Sequence, residues 1–133
     1  MRLFLAATAL LASPALAQTS GRLSNDARPL LYDITIRADA KALTFTGSET
    51  VTVAVQKPVT SLTLNAAGLD VSSAMIDGQP VTSFASDAKA QTLTVRFAKP
   101  ISPGEHKLSF AWTGKINKSA TGLFAVDYNG IDG

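Results

Sequence analysis

Apolar and polar residues alternate along most of this chain, and the alternation defines the elements it predicts. Tyr32, Ile34 and Ile36 fall on one parity, with Asp33, Thr35 and Arg37 between them. That is the period of two of a half-buried β-strand. After a turn at "ADAKA" a longer β-branched strand follows. It places Phe45, Gly47, Glu49, Val51, Val53 and Val55 on one side and Thr46, Ser48, Thr50 and Thr52 on the other, and Lys57-Pro58 ends it. Further strands are predicted at 61–65, 69–76, 80–84 and 91–97. "NAAG", "DGQ" and "SDAKA" divide them, as in successive hairpins. "KPISPGE" reads as a loop leading into His106, Leu108, Phe110 and Trp112 on one parity. A break at "GKINKSATG" precedes a last strand carrying Phe124, Val126 and Tyr128, closed by the turn "NGIDG". The pattern predicts an all-β fold, an antiparallel β-sandwich or a curved, saddle-like multi-sheet domain.

Only the start of the chain has helical character, and it predicts export rather than a packed element. Arg2 precedes an apolar run over 3–11, and Ala15-Leu16-Ala17 is a small-x-small cleavage signal. This is the arrangement of a secretory signal peptide, residues 1–17, with the exported chain starting at Gln18 in the periplasm or outside the cell. The run is far shorter than the roughly 20 residues of a membrane-spanning helix. No cysteine near the cleavage site offers a lipid anchor. Residues 18–28 read as a flexible leading segment that Pro29 closes, and 29–133 as one domain. With no cysteine in the chain, its core must hold by packing alone. The sequence pI is near 9.1, but 12 Lys+Arg stand against 10 Asp+Glu and the signs alternate along the chain. Such a surface is solvated, and it is not a nucleic-acid stripe.

The chemistry-bearing residues are few. A zinc site needs three or four ligands from His, Cys and carboxylates, and the chain has one His, no Cys and no H-E-x-x-H. His106 shares its parity with Leu108, Phe110 and Trp112, so it is expected at the end of a packed strand face, satisfied by neighbours. A Ser–His–Asp arrangement would have to use it, and there is no G-x-S-x-G elbow to present a serine. Asp77 and Asp87 sit in neighbouring turns, where turn formation is the better reading than a hydrolytic carboxylate pair. Glu49 is on the parity of Phe45 and Val51. It is read as lying at a bulge or edge next to Gly47, the alternative being a buried acid in need of a partner. Phe110, Trp112 and Phe124 are read as core rather than as a sugar- or base-stacking platform. Glycine-rich phosphate loops are absent. Asn117-Lys118-Ser119 fits the short glycosylation acceptor pattern, which acts only on a eukaryotic secretory route that nothing else here suggests. No catalytic, cofactor-binding or metal-ligating residue is assigned.

The order of the pieces resembles the amino-terminal β domain of the aminopeptidase N-type zinc metallopeptidases, the family that includes leukotriene A4 hydrolase. The likeness begins at Pro29-Leu30-Leu31-Tyr32-Asp33, a P-x-x-Y-D start to the first strand. "FTGSETVTV" is similar to the family's F-x-G-x-x-x-[IV] strand, and "KPVTSLTLNA" follows. A proline-glycine turn precedes "HKLSFAWTGKIN", and "GLFAVDY" is like the family's G-L-[YF] segment. The resemblance covers Pro29 to Gly133. It implies a catalytic domain elsewhere, carrying H-E-x-x-H, a distant zinc-ligating glutamate and a G-x-M-E-N segment, none of which occurs in this chain.

The expectation is therefore a non-catalytic amino-terminal domain of an exported zinc aminopeptidase, cut before its chemistry begins, with zinc and peptide substrates belonging to the full-length parent. The alternative is a free-standing secreted β-sandwich that binds a carbohydrate or a protein. A sheet cut after "AVDY" is also expected to expose an edge through which the chain self-associates.

Overall fold

The computed structural model describes residues 23–126; the expected signal peptide and Tyr128 lie outside them. Eight strands form two antiparallel sheets. In chain order they are β1 (Ala27–Asp39), β2 (Thr44–Val55), β3 (Val59–Asn65), β4 (Leu69–Ile76), β5 (Gln79–Pro80), β6 (Ser83–Asp87), β7 (Thr92–Ile101) and β8 (Gly104–Lys115). The larger sheet has the order β1-β2-β8-β4-β5 and the smaller β3-β7-β6. No helix among the described residues is long and apolar enough to cross a membrane.

The core lies between the sheets. Val51, Val53 and Val55 of β2, Ala74 and Ile76 of β4, and Leu108, Phe110 and Trp112 of β8 face Val59 and Leu62 of β3 and Leu93, Val95 and Phe97 of β7. Directly opposed residues share a face of a sheet, and the register Tyr32↔Val51↔Leu108↔Ile76 makes one such row. Leu108 and Val95 are completely buried. Removing each such side chain from water contributes about 1.5–3 kcal/mol.

One turn chemistry recurs in both sheets. Asp39 Oδ1 accepts hydrogen bonds from the N–H groups of Lys41 (3.0 Å) and Ala42 (2.9 Å) between β1 and β2. Asp87 Oδ1 accepts from Lys89 and Ala90, both at 2.9 Å, between β6 and β7. Each D-A-K-A turn ends on a left-handed residue, Leu43 at φ 53° and Gln91 at φ 55°. The aspartate replaces the backbone acceptors that the turning chain cannot supply.

Several expectations are corrected. β1 starts at Ala27, inside the segment read as a flexible lead, and a register shift between Pro29 and Leu31 accommodates the proline. Asp26 anchors that start: its carbonyl accepts from Gln56 N–H at 2.8 Å, and its carboxylate pairs with Lys57 at 2.8 Å. The stretch 80–84 is two strands rather than one. Val81 N–H donates to Ala74 O in the larger sheet (3.2 Å) and Thr82 N–H to Arg96 O in the smaller (2.9 Å), so the chain changes sheet between adjacent residues. For the same reason β3 and β4 are not a hairpin, since they belong to different sheets. β7 runs on through Pro100 into the stretch read as loop.

Gly47 and Glu49 are at neither a bulge nor an edge. β2 is a central strand in regular register with both neighbours there. Glycine is required at 47 because Trp112 lies directly opposite and a Cβ would overlap its indole ring. Phe45 covers Gly114 in the same way, and the two rings meet edge to face at 5.8 Å. The F-x-G spacing thus encodes an aromatic pair packed over two glycines.

The last expected strand is absent from the described residues. Phe124 makes a single parallel bridge with Asn117, and Val126 is 75% exposed. Phe110 and Trp112 are core as expected; Phe124, 42% exposed, is not.

Candidate functional site

The smaller sheet has three strands and covers only part of the five-stranded one, which leaves a groove of about 850 Å³ between them on the β1 and β3 side. Tyr32, Glu49, Leu62, Leu64, Phe110 and Trp112 are among the residues lining it. Tyr32, Ile34 and Ile36 share the inner face with Val51, Glu49 and Gly47, yet they are 53%, 51% and 54% exposed. The expectation that this strand is half-buried on that face is corrected: β1 extends past the cover of the smaller sheet.

Two polar groups lie among the apolar side chains of this groove. Glu49 is partly buried, and desolvation holds its carboxyl above the usual glutamate range. Its register partners are Ile34 and Phe110, neither of which can donate a hydrogen bond from its side chain. The other reading of this residue, an acid short of a partner, is therefore the one the geometry supports. Trp112 Nε1 is buried with no hydrogen-bond acceptor among the described residues.

A second cluster forms at the far end of β8. His106 Nδ1 donates to Asp77 Oδ2 at 2.7 Å and Nε2 to Ser102 O at 2.9 Å. Each ring nitrogen faces an acceptor, so the ring is fully satisfied with both N–H groups present. The hydrogen bond to Asp77 accordingly raises its pKa, against a smaller opposing effect of desolvation. Asp77, at φ 49° in the turn between β4 and β5, also accepts from Lys107 N–H at 2.8 Å. Burial works to raise its pKa, and the His106 and Lys107 hydrogen bonds outweigh it to leave the group below the usual aspartate range. His106 is thus the satisfied histidine its strand parity suggests. Asp77 both forms its turn and ties that turn to β8, a link its sequence position did not signal. Asp87 serves its own turn alone, and the structure does not bring the two aspartates to one site. Asn117 Nδ2 donates to Thr121 O at 2.7 Å, which closes the loop after β8.

Neither cluster is a reaction centre of a recognisable kind. Among the described residues no group of three His, Cys, Asp or Glu side chains could hold a metal ion. The only imidazole has both ring nitrogens within hydrogen-bond distance of an acceptor, Asp77 Oδ2 and Ser102 O, so it is held in the β8 turn network.

Comparison with known proteins supplies what the local chemistry does not. Residues 28–133 match the family described as the Peptidase M1 N-terminal domain. An aminopeptidase N of Acetobacter pasteurianus is 33% identical over 145 residues, covering 100% of this chain and 41% of that relative. Aminopeptidase 2 of Candida albicans is 36% identical over 107 residues, covering 80% of this chain and 12% of that protein. The chain thus spans less than half the length of these relatives. Among solved structures, an M1 zinc metallopeptidase from Deinococcus radiodurans superposes with a TM-score of 0.62 at 24% identity, over 71% of this chain and 22% of that one. A mutant of it bound to a Tyr-Ser-Ala substrate gives 0.59 at 25% identity, over 74% and 23%. With the two-sheet fold and the F-x-G packing in place, the chain belongs to the Peptidase M1 N-terminal domain family.

Proposed function

We propose that this chain serves as the non-catalytic amino-terminal domain of an exported zinc aminopeptidase, which removes amino-terminal residues from peptides. The observation that carries the reading is the family match over 28–133, joined to relatives that are aminopeptidases and are much longer than the matched segment. The described residues do not fit zinc, because they offer no group of three ligating side chains and one fully engaged histidine. In this reading the metal and the catalytic residues belong to a part of the enzyme outside this chain, and no chemical step is assigned to the residues here. The β domain's part is to wall the cleft in which peptides are cleaved.

The test is an assay of the purified chain on aminoacyl chromogenic substrates with zinc supplied, beside a His106→Ala variant. No turnover is expected from either. A zinc-dependent activity abolished by the substitution would sink the reading, since a water-activating site takes about three protein ligands. An H-E-x-x-H in the same reading frame downstream of the codon for Gly133 would support it.

Export is part of the proposal and rests on Arg2, the apolar run over 3–11 and Ala15-Leu16-Ala17. Mass spectrometry of the periplasmic or secreted protein should find Gln18 at its amino terminus; an intact Met1 there would count against it. We further propose that the isolated chain self-associates through an exposed sheet edge.

A further inference from the structure

We propose that two copies of this chain pair antiparallel through β1, in a register centred on Thr35. This inference rests on the self-association reading and gives it an edge and a register. It is independent of the aminopeptidase reading.

Four strands close the two sheets, and three of them are poor templates. β5 has two residues and β6 five, and β3 has a register shift between Val59 and Ser61. Short or irregular edges of this kind are how sheets avoid pairing with other chains. β1 is different. Past the shift at Pro29 it runs in unbroken register with β2 from Leu31 to Asp39, with no proline and no lysine in that stretch.

Gln56 N–H bonds to Asp26 O, so even-numbered residues of the second strand face β1. Their partners Leu31, Asp33, Thr35, Arg37 and Asp39 therefore turn their backbone groups toward β2. On the outer edge, the N–H and C=O groups with no partner among the described residues are those of Tyr32, Ile34, Ile36 and Ala38.

An antiparallel pairing about Thr35 uses all of these groups. Ile34 bonds opposite Ile36 of the second copy, and Tyr32 opposite Ala38 of the second copy, each twice by symmetry. The exposed apolar row of one copy thereby continues the same row of the other. On the opposite face Asp33 stands across from Arg37 of the second copy, also twice. Neither residue has an ion pair with a described residue of its own chain. Moving the register by two residues one way sets Asp33 against Asp39 of the second copy, and the other way sets Arg37 against Leu31 of the second copy. Both lose the opposite-charge pairs, so charge selects this register over its neighbours. Hydrogen bonding, apolar continuity and charge thus converge on one alignment and on one occupant, a second copy.

Thr35 then meets its own counterpart at a non-hydrogen-bonded position. There Cα atoms approach to about 4.5 Å, within the range a disulfide spans. The chain has no native cysteine, so single-cysteine variants of the full chain report this contact directly. Thr35→Cys should oxidise to a covalent dimer, while Lys89→Cys, in the exposed turn before β7, should not. Sedimentation of the unaltered chain should show a concentration-dependent dimer. Arg37→Asp, which opposes like charges at both symmetric pairs, should weaken the dimer about tenfold. The swap Asp33→Arg with Arg37→Asp should restore it, and circular dichroism of each variant should match the unaltered chain. A monomer at every concentration would overturn both the self-association reading and this one. A dimer indifferent to Arg37→Asp, in which Thr35→Cys cross-links no better than Lys89→Cys, would overturn this register and leave self-association standing.

Discussion

β1 and β2 are the two arms of one hairpin, similar in length and in their period-two pattern, yet they meet opposite fates. Val51, Val53 and Val55 of β2 are among the most buried residues of the molecule; Tyr32, Ile34 and Ile36, on the same face one strand away, are half exposed. The difference is position in the sheet. β2 lies between β1 and β8 and beneath the smaller sheet, whereas β1 has a neighbour on one side and no cover over much of its inner face. Alternation reports that a strand has an apolar face, and only the assembled layers decide what that face meets.

The sharpest way to break this comparison is to truncate one side chain in each region. Leu108→Ala empties a completely buried site in the middle of the larger sheet and should cost about 2–5 kcal/mol. Ile34→Ala removes a half-exposed side chain and should cost less than about 1 kcal/mol. Denaturant titrations at low protein concentration, where pairing through β1 does not contribute, measure both. Comparable losses would mean that the inner face of β1 is covered in solution.

Gly47→Ala sharpens the same contrast at the closest approach between strands. The added methyl meets the ring of Trp112, so β2 and β8 must separate or the indole must leave its position. Overpacking of this kind costs about 1–3 kcal/mol. Gly68→Ala adds a methyl where no atom is near, and its cost, about 1 kcal/mol, comes from a backbone at φ 67°. Trp112 fluorescence distinguishes the two, because only the first should shift its emission.

These positions also show what could be read from the sequence. The 69–76 strand and the two D-A-K-A turns were legible because their signals are local: alternation in one case, an aspartate two and three residues before unpaired N–H groups in the other. Gly47 was misread because its reason sits at Trp112, far along the chain, and a glycine in a strand more often marks a bulge. The change of sheet at Val81 and Thr82 left no trace in composition, since adjacent residues there simply bond to different strands. At the candidate site, the parity of His106 with Leu108 predicted a satisfied ring. Its acceptors, Asp77 and Ser102 O, come from two separate turns that only the folded topology brings together. Membership of the family was legible in the ordered motifs from Pro29 to the segment at Gly122, a signal spread over strands rather than concentrated in a reactive cluster.

Glu49→Gln tests the polar residue where the buried and open regions meet. Burial raises the carboxyl's pKa, so the folded state holds the proton to higher pH than the unfolded chain does. Stability contributed by the protonated form is present at low pH. It declines as pH rises from the ordinary glutamate value, roughly 4.3, through the raised folded one. The neutral amide does not titrate, so the substitution should stabilise the fold at pH 7 by no more than about 1 kcal/mol and flatten the pH dependence above pH 4. A variant destabilised at pH 7 that also loses a rise of stability with pH through the carboxylate range would show instead that the Glu49 carboxylate is paired in solution.

His106 and Asp77 should give the smallest effect, and one of different shape. The raised pKa of His106 means that its contribution is fully present below roughly 6.5, the unfolded value, and is lost as pH climbs through the higher folded one. The depressed pKa of Asp77 means that its contribution is present above roughly 3.9 and is lost as pH falls through the lower folded value. The pair therefore stabilises the turn most between those limits. Asp77 is half exposed, and solvent holds the contribution to about 1 kcal/mol or less. Melting temperatures from pH 3 to 9 for the unaltered chain and for His106→Gln should differ most near pH 5 to 6 and converge toward pH 9. A difference that persists undiminished at pH 9 would assign the role of His106 to the packing of its ring on β8 rather than to its charge.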